Sequence, residues 1–141
     1  MKATTVRVLV IEDDEVDLMA IKRGFARAEI AHEIIHAKDG LAALQMLRGE
    51  RGQAKVEGPL LVLLDLNLPR MNGFEFLHAV RKDAALKGLV VFVLTTSAAE
   101  RDRQHAYAAN VAGYIVKSDA GHGFAAAIGL LEHFWRVVEL P

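Results

Sequence analysis

Two apolar runs constrain this chain more than any other feature: LLVLLDL at Leu60–Leu66 and LVVFVLT at Leu89–Thr95. Both are apolar nearly throughout and partly β-branched, as strands are when a sheet is covered on both faces. Such a sheet needs helices on either side, and the rest of the sequence supplies them. Three more runs read as strands: Val6–Ile11, Glu33–Ala37 and Gly113–Lys117. Between them, Leu18, Ile21, Phe25 and Ala28 recur at helical spacing, with Asp14 or Asp17 placed to start that helix. Leu41–Arg48, Phe74–Arg81, Glu100–Ala109 and Gly123–Leu140 read as four further helices. Strands alternating with helices imply parallel pairing through right-handed crossovers. The expected fold is α/β, a doubly wound sandwich of five strands and five helices in a single domain over 1–141. The one loose stretch is GERGQAKVEGP, residues 49–59, and no linker toward a second, output domain is evident.

Charge and composition exclude several classes of function. With 17 Lys and Arg against 18 Asp and Glu, the net charge of -1 gives no electrostatic reason for a nucleic acid or membrane partner. No cysteine is present, so disulfides and thiolate metal sites are excluded. The run Val6–Ile11 is too short for a secretory signal and meets acids at once. No stretch approaches the ~18 apolar residues that span a bilayer. The expected location is cytoplasmic.

In open α/β sheets ligands bind at the carboxyl ends of the strands. Strand one ends in Glu12, Asp13 and Asp14, strand three in Asp65, strand four in Thr95 and Thr96, and strand five in Lys117. Any one acid at such an end means little, because strand ends meet solvent. The whole set, confined to strand ends, means more. Crowded carboxylates repel, and a cation relieves them. Oxygen donors without His or Cys suit Mg²⁺, with Mn²⁺ as a substitute. No GxGxxG or GxxxxGK[ST] loop follows strand one. A carboxylate beside such a cation is a nucleophile toward phosphorus. Lys117 and the Thr95 hydroxyl would then neutralise the transferring group's oxygens.

The segments VLVIEDD, LLDLNLPRMNGFEFL, VFVLTTS and AGYIVKS together resemble the receiver domain of two-component response regulators, over essentially the whole chain. The specific part is D-x-N-x-P-x-M-x-G beginning at Asp65, followed by Thr95 and Lys117 on the next two strands. The resemblance implies a flavodoxin-like sheet of strand order 2-1-3-4-5 with Asp65 as phosphoacceptor. It implies Asp13 as the principal Mg²⁺ ligand, Glu12 beside it, and Asn67 offering its backbone carbonyl. Lys117 would pair with the phosphoryl group, Thr95 would swing toward it, and Tyr114 would rotate inward. Pro69 and Gly73 fit the turn after the acceptor. Many receivers carry a cis proline after the lysine. Here Ser118 follows, where a cis bond costs about 2.5–4 kcal/mol more than trans. Ser118, the long loop and the FWRVVELP ending are similar to the stand-alone regulators that partner bacterial phytochrome histidine kinases. The resemblance implies a phosphoacceptor rather than an enzyme, with a histidine kinase as donor and the face formed by the fourth strand, fourth helix and fifth strand as output.

The last helix is more apolar than packing on one side of a sheet requires. Phe124, Ile128, Leu131, Trp135 and Val138 form one stripe; Leu130, Phe134 and Val137 form a second, against a polar Glu132, Arg136 and Glu139. The second stripe is expected to meet another copy, giving a homodimer. Six histidines, at 32, 36, 78, 105, 122 and 133, show no metal-ligand spacing and are expected on the surface or satisfied inside. A phosphatase of the haloacid-dehalogenase type would want D-x-D on strand one and a cap domain, and neither is present. A receiver-like domain that is never phosphorylated would have lost the acids that this chain keeps.

Overall fold

The computed structural model describes residues 7–27, 32–117 and 123–141. Val6, Ala28, Ser118 and His122 lie outside the described residues, as do the side chains of Phe124, Trp135 and Arg136. The element order is β1 (Arg7–Ile11), α1 (Glu15–Arg27), β2 (Glu33–Ala37), α2 (Gly40–Arg48), β3 (Leu60–Leu64), α3 (Gly73–Lys82), β4 (Val90–Thr95), α4 (Glu100–Ala108), β5 (Gly113–Val116) and α5 (Gly123–Val137). The five strands pair in parallel in the order β2-β1-β3-β4-β5, as expected.

The period of two along the central strands divides the core. Leu9, Ile11, Leu60, Val62, Leu64, Val91 and Val93 face α2, α3 and the single buried residue of α4, Ala106. Val8, Val10, Leu61, Leu63, Phe92 and Leu94 face Leu18, Ile21 and Phe25 of α1 and Ile128 and Leu131 of α5. Because both faces are covered, β3 reads as apolar at every position, and all five of its residues are buried. Asp14, rather than Asp17, starts α1: its Oδ1 accepts the N–H groups of Val16 at 2.8 Å and Asp17 at 3.3 Å.

The structure departs from the sequence reading at several ends. β3 stops at Leu64, so Asp65 stands just past the strand, where the chain turns into the loop before α3. On α5, Phe134 is not on an outward stripe; its ring packs edge-on against Phe92, with centroids 5.0 Å apart. It lies three residues after the buried Leu131, on the same helical face. Val138 was expected inward but is 38% exposed, because the helix ends at Val137 and its period no longer places the next side chain. Leu130 and Val137 are exposed, as expected.

Candidate functional site at the strand ends

Register brings the site together. Ile11 pairs with Leu64, and the Asp65 N–H donates to the Ile11 carbonyl at 3.1 Å, so Glu12 and Asp65 leave their strands side by side. On the other flank, the Lys117 N–H donates to the Thr95 carbonyl at 2.6 Å. Glu12, Asp65, Thr95 and Lys117 are all buried, while Asp13 is exposed. One carboxylate oxygen from each of Glu12, Asp13 and Asp65 lies within 4.8 Å of the others. Octahedral Mg²⁺ binds oxygens at about 2.0–2.1 Å, which puts two of its ligands roughly 2.9–4.2 Å apart. The trio therefore fits a hard divalent cation with little movement.

Lys117 Nζ lies among the same acids, donating to Glu12 Oε1 at 2.9 Å, Asp17 Oδ2 at 2.7 Å and Asp65 Oδ2 at 3.3 Å. Burial pushes the Glu12 carboxyl up to about 7; the Lys117 hydrogen bond opposes this and the Asp65 charge adds to it. For Lys117 burial works downward, but its hydrogen bonds to Asp17 and Glu12, together with the charges of Asp65 and Glu12, outweigh it and hold the ammonium above its ordinary value. The lysine is a fixed cation facing a surplus of negative charge. That arrangement disfavours a bare anion and favours one arriving with a cation.

The loop after Asp65 is shaped by close packing. A Cβ at Gly73 would lie 2.7 Å from the Asp65 carbonyl oxygen and from Leu66 Cα, so only glycine fits. The Asn67 N–H donates to Asp65 Oδ1 at 3.1 Å, leaving its exposed side chain uninvolved. Pro69 is exposed, and Arg70 sits at φ 61°. Asp39, the N-cap of α2, holds this loop: its Oδ2 accepts from Arg70 Nε at 2.8 Å, and the Gly40 N–H donates to the Met71 carbonyl at 3.1 Å. An open cleft of about 530 Å³, lined by Asp13, Asn67, Pro69, Phe74 and Asp102 among others, borders the cluster.

Thr95 and Tyr114 meet at Ser97, which the sequence reading passed over. Thr95 Oγ1 accepts the Ser97 N–H at 3.3 Å, and the Tyr114 hydroxyl donates to the Ser97 carbonyl at 2.9 Å. Ser97 Oγ in turn donates to Asp102 Oδ2 on α4 at 2.7 Å. Asp17 was also missed as a site residue. It stands in the first turn of α1, and its partner Lys117 is 100 residues away, so no local spacing signalled the contact. The histidines are less scattered than their positions suggested. His78 on α3 and His105 on α4 approach with Nε2 atoms 3.1 Å apart, and His105 stacks on Phe74. His36 Nε2 meets the Glu12 carbonyl at 2.7 Å, a satisfied interior contact.

Comparison with known proteins adds a family to this geometry. The family model for the response regulator receiver domain matches residues 8–128. Response regulator Rcp1 of Synechocystis is 35% identical over 135 residues, covering 95% of this chain and 92% of its own. Among solved structures, the phosphorylated cyanobacterial phytochrome response regulator RcpA superposes with a TM-score of 0.87 at 35% identity, over 99% of both chains. The Mn²⁺-bound form of Rcp1 gives 0.86 at 35% identity, over 97% of this chain and 99% of its own. The parallel sheet, the acids at its carboxyl edge and these matches agree: the chain belongs to the response regulator receiver domain family.

Proposed function

We propose that this receiver is switched by phosphorylation at Asp65, with a histidine kinase as donor. The observation that carries the reading is the buried Asp65 carboxylate, 3.3 Å from Lys117 Nζ and grouped with Glu12 and Asp13. In the proposed step an Asp65 oxygen attacks phosphorus and a new O–P bond forms. The bond from phosphorus to the donor imidazole nitrogen breaks, and its electron pair leaves with the imidazole. Lys117 faces one phosphoryl oxygen, and the Thr95 hydroxyl turns from the Ser97 N–H toward another. Ser97 also holds Tyr114, so the same movement frees the tyrosine and the start of α4 to shift.

Glu12, Asp13, Asp65 and the Asn67 backbone carbonyl are the proposed ligands of Mg²⁺, with Mn²⁺ as substitute. When bound, the cation supplies neutralisation of charge on the phosphoryl oxygens. The chain is read as a phosphoacceptor that assists its own phosphorylation and dephosphorylation and turns over no separate substrate. Similarity to RcpA and Rcp1 supports a phytochrome-type histidine kinase as partner. The switch is read as acting in the cytoplasm, where its kinase would present the phosphoryl group. Exposed Leu130 and Val137 on α5 support self-association through that helix. A clean monomer in sedimentation at tens of micromolar would remove the dimer.

Incubation with acetyl phosphate, with and without Mg²⁺, tests the acceptor. Intact mass is expected to rise by one phosphoryl group only with the metal, and Asp65→Asn is expected to stay unmodified. Equal uptake by Asp65→Asn would assign the acceptor elsewhere.

A further inference from the structure

The lysine at the proposed site has a partner that neither the acceptor nor the metal ligands explain. An ammonium has three N–H donors. Lys117 directs them at Asp65, Glu12 and Asp17, and the shortest contact, 2.7 Å, goes to Asp17 on α1. Asp17 is not one of the three acids grouped for a cation. Its backbone is held in the first turn of α1, where the Asp14 carboxylate accepts its N–H. Its side chain reaches a lysine 100 residues away in sequence.

We propose that Asp17 is a positioning residue for phosphotransfer: it anchors the Lys117 ammonium, so that the attacking oxygen of Asp65 carries only a long, weak contact. The proposal rests on the reading of Asp65 as acceptor. Charge-assisted N–H···O bonds settle at about 2.7–2.9 Å. The Asp17 and Glu12 contacts have those lengths, and the Asp65 contact, at 3.3 Å, does not. A tight pair with Lys117 would tie up the lone pair that must attack phosphorus. Held back by Asp17, the ammonium stays beside Asp65 and available to an oxygen of the incoming group, where charge develops. The competing account is that Asp17 only favours the start of the helix. First-turn acids do so by roughly 0.3–1 kcal/mol. Glu15, exposed in the same turn and without a contact to Lys117, serves that purpose equally and provides the control.

The test uses the full chain with acetyl phosphate and Mg²⁺, following phosphoryl uptake by intact mass for wild type, Asp17→Asn, Asp17→Glu and Glu15→Gln. Asp17→Asn is expected to take up the group about tenfold more slowly, the rate equivalent of one lost charge-assisted bond. Asp17→Glu is expected to recover most of the rate, and Glu15→Gln to match wild type. In ¹H–¹⁵N spectra of the lysine ammonium groups, the Lys117 signal is expected in wild type and Glu15→Gln and lost in Asp17→Asn. That measurement reads the anchor without a phosphodonor. An Asp17→Asn chain with wild-type uptake and an unchanged ammonium signal would overturn the proposal while leaving Asp65 as acceptor. Equal slowing by Glu15→Gln would reduce Asp17 to a helix-starting role. A wild-type chain that takes up no phosphoryl group overturns the acceptor reading and the positioning role together.

Discussion

Helices α3 and α4 lie on one face of the sheet, touching through His78, His105, Phe74 and Arg81, and they are held in opposite ways. α3 opens with a capping box: Asn72 Oδ1 accepts the Glu75 N–H at 2.9 Å, and Glu75 Oε1 accepts the Asn72 N–H at 2.9 Å. It buries Gly73, Phe76, Leu77 and Val80. α4 has Ala99 at its N-cap, with no cap bond from that side chain, and buries Ala106 alone. Its other end is strapped down. Arg81 of α3 donates to the carbonyls of Ala109 at 2.7 Å and Asn110 at 2.9 Å, and to Lys87 and Leu89 in the loop before β4. α4 is therefore fixed at its C-terminal end and lightly held at the end that follows Thr95 and Ser97. Regions with few buried contacts open at low free energy, and switching elements are drawn from them. The proposed acceptor stands at the foot of the fixed helix, and the proposed switch at the foot of the loose one.

The contrast breaks most visibly at Phe76, which is fully buried between α3 and the sheet. Phe76→Ala is expected to cost about 3–5 kcal/mol. Tyr107→Ala on α4, where the ring is half exposed, is expected to change stability by less than about 0.5 kcal/mol. Urea unfolding of both variants checks the pair. Similar midpoints would mean that α3 is no better anchored than α4.

Next in size is the strap. Arg81→Lys keeps the charge, but a single ammonium cannot reproduce a planar fork that reaches four carbonyls. A loss of about 2 kcal/mol is expected. Hydrogen exchange in the last turn of α4 is expected to quicken while the capping box of α3 stays protected. Uniform quickening across both helices would show that Arg81 supports the whole face rather than one end of α4.

How much of this was legible in sequence follows from the range of each interaction. β3 and β4 were legible because a strand covered on both faces must be apolar at every position. The strand ends were legible as a site because the fold rule places ligands there, and D-x-N-x-P-x-M-x-G with Thr95 and Lys117 made the family legible. Gly73 was legible as a turn glycine, but its reason, a Cβ 2.7 Å from the Asp65 carbonyl, needs coordinates. Asp17 read as a helix starter because its partner, Lys117, is 100 residues away. Ser97 was invisible for another reason: two of its contacts run through its backbone, which carries no residue identity. Arg81 and the His78–His105 contact join two helices whose separation no pattern in either one fixes. The error at Val138 came from extending a helical period past the end of α5 at Val137, and the error at Phe134 from grouping it with Leu130 although it lies three residues after the buried Leu131.

The caps give a smaller effect of opposite sign on the two helices. Asn72→Ala removes the side-chain half of the α3 box, and a loss of about 1 kcal/mol is expected. Ala99→Asp adds the missing cap to α4, and a gain of about 0.5–1 kcal/mol is expected. If the loose start of α4 is the moving part, Ala99→Asp should also slow amide exchange in its first turn. Exchange unchanged in that turn would mean that Ser97, through Asp102, already holds it.

The smallest expected effect tests whether the fixed side extends to the acceptor loop. Burial raises the Asp39 carboxyl, but the Arg70 hydrogen bond, the Ala42 N–H and the Arg70 charge together hold it below its ordinary value near 3.8. A carboxyl depressed in the folded state binds fewer protons than in the unfolded state. Its contribution is therefore complete above the unfolded value and lost as pH falls through the folded one. Arg70 is about half exposed, so solvent screens the pair and limits it to less than about 1 kcal/mol. Arg70→Gln should lower stability slightly at pH 6, and the gap from wild type should shrink as pH falls below the ordinary carboxyl value of 3.8. Gly40 and Met71 still tie the loop to α2 in that variant, so phosphoryl uptake should be unaffected. If uptake fell while stability held, the Asp39–Arg70 pair would be shaping the acceptor loop itself, and the fixed region would begin at α2 rather than at α3.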